Sequence, residues 1–226
     1  MSKLLIKPAA TNQIHQVTPQ SAGWNYVGFA VHDLAVGETL QCQQAGRELC
    51  IVILTGTANI SVGLQSWTGV GGRGSVFVDQ PPGAVYVPAG EAVSIMALDA
   101  IEVAVCSAPG QGNSGSARLI DVATMSQEVR GKGTNTRYVR NILPETEAAD
   151  GLLVVEVITP SGHWSSYPPH KHDRDASPEE TLLEETYYQR LSPVSGYAHQ
   201  RVYTDDRSLD ETLSAEDRDV VLVPKG

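Results

Sequence analysis

Long apolar runs are missing from this chain. No stretch approaches the roughly 18 consecutive apolar residues that a membrane span needs. Met1 to Ala10 holds no long apolar segment, so no secretory signal is expected. Cysteine is scarce: Cys42, Cys50 and Cys106 are the three, an odd count without regular spacing. That does not read as a disulfide framework, and a reducing cytoplasm is the expected home. Basic residues are outnumbered, 16 Lys and Arg against 26 Asp and Glu, for a formal net charge of -10. This balance argues against nucleic acid or an acidic membrane surface as partner. Histidine is absent between His32 and His163. No sustained helical period is visible either.

What remains is enough for a core, with 41% hydrophobic and 19% charged residues. From Trp24 onward, short apolar segments alternate with Gly and Pro: 25–34, 49–54, 58–62, 75–78, 84–87, 93–98 and 101–106. Such close spacing predicts an all-β sandwich or barrel. Leu49–Leu54 is apolar throughout, as expected of a strand buried on both faces. Residues 1–23 read as an arm with a strand or two. The run Gly110-Gln111-Gly112-Asn113-Ser114-Gly115-Ser116 reads as a flexible linker. The expected division is therefore 1–109, a linker at 110–117, and 118–226. Past the linker, 120–126 suggests a short helical turn. Strands are expected at 137–142, 152–159, 187–191, 197–204 and 220–223, with a charged connector at 205–211.

The two halves echo each other. Val85-Tyr86-Val87-Pro88-Ala89-Gly90 is matched by Val221-Leu222-Val223-Pro224-Lys225-Gly226. A repeated strand-Pro-x-Gly ending suggests two copies of one β-barrel unit. The chain stops at the second copy, which raises the expectation that the second barrel is incomplete at its C-terminal end.

The densest set of metal-type ligands is Pro168-Pro169-His170-Lys171-His172-Asp173, followed by Leu183-Glu184-Glu185-Thr186-Tyr187-Tyr188. Two histidines two apart in an extended segment project to one side. With a carboxylate from the next strand they suit zinc, manganese or iron. Either Glu184 or Glu185 can serve. Alternation along the strand sets Glu185, Tyr187 and Gln189 on one face and Glu184, Thr186 and Tyr188 on the other, and the first set better suits a polar barrel interior.

These features resemble a cupin, and a two-cupin chain (two tandem jelly-roll barrels) in particular. Gly162, His170, His172 and a Glu at 184 or 185 resemble the first cupin motif; Pro224 and Gly226 resemble the second. Its His would fall three residues past Gly226. In the first half Pro88 and Gly90 match, but Val93 holds the His position, so that half resembles a cupin without its metal. The spacing from His172 to the glutamates is longer than the general pattern. The segments 165–173, 183–188 and 200–211, with Gly131-Lys132-Gly133 and Arg137, closely resemble the 5-deoxy-glucuronate isomerase family of inositol catabolism. The resemblance implies isomerisation of 5-deoxy-D-glucuronate to 5-dehydro-2-deoxy-D-gluconate, with a divalent cation, zinc or manganese foremost, on His170, His172 and a Glu at 184 or 185, of which the alternation favours Glu185.

Aldose–ketose isomerisation needs no redox cofactor. It needs charge stabilisation at adjacent oxygens and a base that moves a proton between neighbouring carbons. A metal-bound hydroxide, a carboxylate among Glu184 and Glu185, and Lys171 are candidate bases, with Tyr187 as a hydroxyl partner; a metal-assisted hydride shift would call for much the same groups. The substrate carboxylate calls for Arg or Lys, so Arg201, Arg190 and Lys171 are candidates, with Tyr203 for sugar hydroxyls. The competing readings are a 5-keto-4-deoxyuronate isomerase, a metal-dependent cupin dioxygenase and a non-catalytic sugar-binding cupin. Cupins often bury sheet edges in a dimer, so a homo-oligomer is compatible with this reading.

Overall fold

The computed structural model describes residues 2–225, so Gly226 of the second Pro-x-Gly lies outside the described residues. The largest sheet is built around one 16-residue strand, Arg47–Val62. Its first part lies between Gly83–Val87 and Ile101–Pro109, and its second part between Gln65–Arg73 and Val93–Ala97. Ile101–Pro109 pairs in turn with Gly28–Leu34, and that strand with Gln13–Val17. The long strand turns from one set of partners to the other near Gly56, at φ +78°. A Cβ there would stand 2.4 Å from Asp99 Oδ1 and 2.5 Å from the Ala100 carbonyl, so only glycine fits.

The continuous apolar run has a direct explanation. Leu49, Ile51 and Ile53 point into a core with Val85, Val87, Val93, Ile95, Val103 and Val105. Cys50 and Val52, from the same strand, point the opposite way with Ala84, Tyr86 and Ala104. That second face packs against Val220, Val221 and Leu222 of the chain's other half. One face thus fills a barrel while the other docks a neighbouring layer, and each fully buried Leu or Ile contributes roughly 1.5–3 kcal/mol.

The later half forms three smaller sheets. Glu185–Tyr188 and Leu5–Ile6 flank Val220–Val223; Gln127–Arg130 and Val154–Ile158 flank Arg137–Leu143; Ala198–Tyr203 pairs with Asp210–Ala215. Two strands pair across the 110–117 segment. Leu5–Ile6 joins the later half through Val220–Val223, and Arg118–Ile120 joins the earlier half through Gly83–Val87. The segment itself is not a free tether. Asp150 Oδ2 accepts from the Gln111 and Gly112 amides at 2.6 and 2.9 Å, and its Oδ1 accepts from the Ser114 hydroxyl at 2.6 Å.

Other expectations need correction. Residues 75–78 form turns, whereas the glycine-bearing Gln65–Arg73 is a strand. The expected helical turn at 120–126 divides into the end of strand Arg118–Ile120 and a turn in which Met125 donates to the Asp121 carbonyl. The connector at 205–211 contains the start of strand Asp210–Ala215. No helix among the described residues is long and apolar enough to cross a membrane.

Buried and half-buried carboxylates tie the halves together. Glu48, fully buried, accepts from Tyr86 Oη at 2.6 Å and from the amides of Asp150, Gly151 and Leu152 at 2.8, 2.7 and 2.7 Å. Glu156 receives Arg73 and Arg140, both nearly inaccessible to solvent, at 2.6 and 2.7 Å. Glu102 receives Arg190 at 2.8 Å, Arg218 at 3.2 Å and Tyr188 Oη at 2.9 Å. Glu156 and Glu102 meet arginines, and Glu48 is satisfied by neutral hydrogen-bond donors, as burial requires.

Candidate metal and substrate site

His170 and His172 lie in a long irregular segment between Val154–Ile158 and Glu185–Tyr188; its regular backbone pairing among the described residues is the isolated bridge Ala176–Glu180. Their rings nevertheless come together, with centroids 5.0 Å apart and planes at 83°. His172 Nε2 stands 3.7 Å from Glu185 Oε1. His172 Nδ1 lies 3.3 Å from the Thr181 carbonyl oxygen. A carbonyl only accepts, so in the neutral imidazole this contact selects the Nδ1–H tautomer, which leaves Nε2 as the nitrogen that faces Glu185.

The two glutamates have separate tasks. Glu184 receives the backbone amides of Asn25, Tyr26 and Val27 at 2.7, 2.7 and 3.0 Å. On the same side of the strand, Tyr188 packs on Phe29 and the edge of His15 in the earlier half. Glu185 and Tyr187 face the other way, and the Tyr187 hydroxyl donates to Glu185 Oε2 at 2.6 Å. Burial, reinforced by the Glu185 charge, pushes the Tyr187 phenol well above its ordinary range, so it remains a proton donor to that oxygen.

Imidazole and carboxylate donors suit a divalent cation in chemistry, and one pair of them, His172 and Glu185, has the span. Zinc holds imidazole nitrogen and carboxylate oxygen at about 2.0–2.2 Å, so two donors sharing an ion stand no more than about 4.3 Å apart. The 3.7 Å between His172 and Glu185 lies inside that limit. The bond from Nδ1 to a backbone carbonyl is the outer support that ligating histidines usually have. Among the described residues no three such groups converge on one closed ligand set.

The remaining candidates have other partners. Lys171 Nζ pairs with Asp205 and lies 4.0 Å from Glu180. Its hydrogen bond to Asp205 raises its pKa. Arg190 sits in the interface between halves with Glu102 and Asp217, not as a free anion receptor. Arg201 bonds Asp210 through two nitrogens at 2.8 Å and lies 4.9 Å over the Tyr203 ring. His199, Arg201 and Tyr203 share one face of their strand, opposite buried Val202, and Arg207 covers the Tyr203 ring at 4.1 Å. Arg190, Arg201 and Tyr203, expected to bind substrate, are each engaged by other side chains of the chain.

Sequence reasoning missed Glu180. Its Oε1 accepts from the amides of Asp173 and Arg174 at 2.8 and 3.0 Å, and its Oε2 from the Arg174 guanidinium at 2.9 and 3.1 Å. The available signal was the long spacing after His172: an insertion inside a ligand motif needs something to fold it back.

Comparison with known proteins accords with this architecture. The KduI/IolB family profile matches residues 4–226. A 5-deoxy-glucuronate isomerase of Geobacillus kaustophilus is 52% identical over the whole chain, which covers 83% of that relative. The protein of the same name from Bacillus subtilis is 43% identical over the whole chain, which covers 86% of it. An IolB-like protein of Salmonella typhimurium has a solved structure that superposes with a TM-score of 0.96 at 46% identity, covering 99% of this chain and 85% of that one. A variant of the oxalate decarboxylase of Bacillus subtilis superposes at 0.60 and 15% identity over 99% of this chain and 72% of that one, a likeness of fold alone. The fold is the all-β bicupin, and the chain belongs to the KduI/IolB family.

Proposed function

We propose that the chain is a 5-deoxy-glucuronate isomerase, converting the aldose 5-deoxy-D-glucuronate into the ketose 5-dehydro-2-deoxy-D-gluconate. The relatives' shared name supports the reaction. The observation that carries the site is His172 Nε2 facing Glu185 Oε1 at 3.7 Å with His170 alongside.

His170, His172 and Glu185 are the residues we assign to a divalent cation, zinc or manganese. When bound, such an ion supplies Lewis acidity that offsets negative charge on neighbouring sugar oxygens. The chain's own groups divide the remaining work. A proton must leave the hydroxyl-bearing carbon beside the aldehyde and arrive at the aldehyde carbon, while a hydroxyl proton passes between the two oxygens; no electron acceptor is consumed. Glu184 is held by three backbone amides, so Glu185 is the carboxylate of the pair that we assign to that transfer. Its Oε1 faces His172, while Tyr187 Oη keeps its own proton against Oε2 and fixes the carboxylate plane.

Following the deoxyuronate by NMR in deuterated water tests the reading. The expected result is ketose formation with no oxygen uptake and with activity lost in His172→Ala. Oxygen consumption with the sugar, or a turnover indifferent to His172→Ala, overturns it.

A further inference from the structure

The geometry points to Glu180 as a positioning residue that sets the tautomer and direction of His172. The inference rests on the ligand reading of His170, His172 and Glu185. Between His172 and Glu185 the chain inserts a loop with no sheet of its own. Glu180 closes that loop: its carboxylate collects the amides of Asp173 and Arg174, directly after His172, and the Arg174 guanidinium. Its own backbone completes the fold-back, Ala176 N to Glu180 O at 3.0 Å and Glu180 N to Ala176 O at 3.2 Å. The Glu180 side chain is only 7% exposed, although Arg174 beside it is 67% exposed. A surface ion pair of that kind contributes little; the two backbone amides are the structurally specific partners.

This clasp places the next residue. Thr181 presents its carbonyl to His172 Nδ1 at 3.3 Å, and Leu183 N reaches back to the His172 carbonyl at 3.3 Å. Without the side-chain clasp, only the Ala176–Glu180 backbone pair and the Leu183 amide hold the Thr181 carbonyl near the ring, and the imidazole exchanges Nδ1–H for Nε2–H more readily. The second tautomer turns a proton, not a lone pair, toward Glu185. Glu180 therefore acts on cation binding through His172 without touching the ion.

Two readouts on the purified full chain separate this role from a structural one. Nitrogen-15 NMR of His172 in the metal-free protein reports the tautomer, and titration with zinc alone reports affinity. Wild type is expected to hold the Nδ1–H form. Glu180→Ala is expected to mix tautomers and weaken zinc binding by about 10–100-fold. Arg174→Ala, which leaves the amide bonds in place, is expected to stay within about twofold of wild type, as an exposed ion pair should. Should Glu180→Ala not fold, Glu180→Asp decides by the same readouts, because it keeps the charge and withdraws the carboxylate by one methylene. A variant with wild-type tautomer and affinity overturns the inference. His172→Ala serves as the reference: zinc binding unchanged in that variant defeats the ligand reading itself, while the tautomer measurement still judges the clasp.

Discussion

Removing the Glu48 carboxylate should do more damage than any single surface charge in this chain. Glu48 is wholly buried and satisfies four donors: Tyr86 Oη and the amides of Asp150, Gly151 and Leu152. Glu48→Ala leaves those donors unpaired in or near the interface between halves. Each buried donor without a partner costs about 1–3 kcal/mol. Some gain a water, so about 4 kcal/mol in total is the expected loss. For a chain of this size about 1 kcal/mol moves Tm by about 2–4 °C, so the midpoint should fall by about 8–16 °C. Glu48→Gln keeps one carbonyl oxygen but turns an amide group toward other donors, and should lose about half as much. The assay is thermal unfolding followed by both far-ultraviolet circular dichroism and tryptophan emission. Because Glu48 joins the halves, the two probes should separate in Glu48→Ala if they coincide in wild type. A loss under about 1 kcal/mol, with coincident probes, would refute the claim that this carboxylate fastens the second half to the first.

Further outcomes follow from the same structure. Glu184→Ala should lower Tm by freeing the Asn25–Val27 amides while leaving metal content intact, whereas Glu185→Ala should lose metal and keep its Tm in the metal-free state; metal analysis beside calorimetry separates them. Asp206, held by the Thr204 hydroxyl and by the Ser208 amide and hydroxyl, has its pKa lowered from 3.8 to about 2. Its contribution to the Ala198–Ala215 hairpin is therefore complete above the unfolded value and disappears as pH falls toward 2; carboxyl NMR should show that low titration, and Asp206→Asn should remove the corresponding pH dependence. Burial raises the thiols of Cys50 and Cys106, the latter to about 12, so neither should react quickly with a thiol reagent at neutral pH until the chain unfolds.

The parts of the fold that sequence shows well are those where one physical term dominates. Val220–Val223 and Ile101–Pro109 are apolar and β-branched, and burial alone identifies them as strands. Gln65–Arg73 was hidden because its glycines signal turns, yet in the fold all three, Gly69, Gly71 and Gly72, adopt positive φ within the strand beside the close-packed Arg47–Val62. The 75–78 segment shows the opposite error: apolar residues without a neighbouring strand edge to pair with. At the site, alternation along Glu185–Tyr188 separates the two glutamates, since period two is a local property. Partners distant in sequence are not local. Arg190 meets Glu102, and Lys171 meets Asp205, only once the sheets have assembled. Glu180 was invisible for the same reason, because its task is to close a loop whose path no periodicity describes.

Element-resolved metal analysis of purified wild type, His172→Ala and Glu185→Ala at matched folding tests the site most directly. The account predicts roughly one divalent cation per chain in wild type and a large loss in each variant. Equal metal in all three proteins would contradict it.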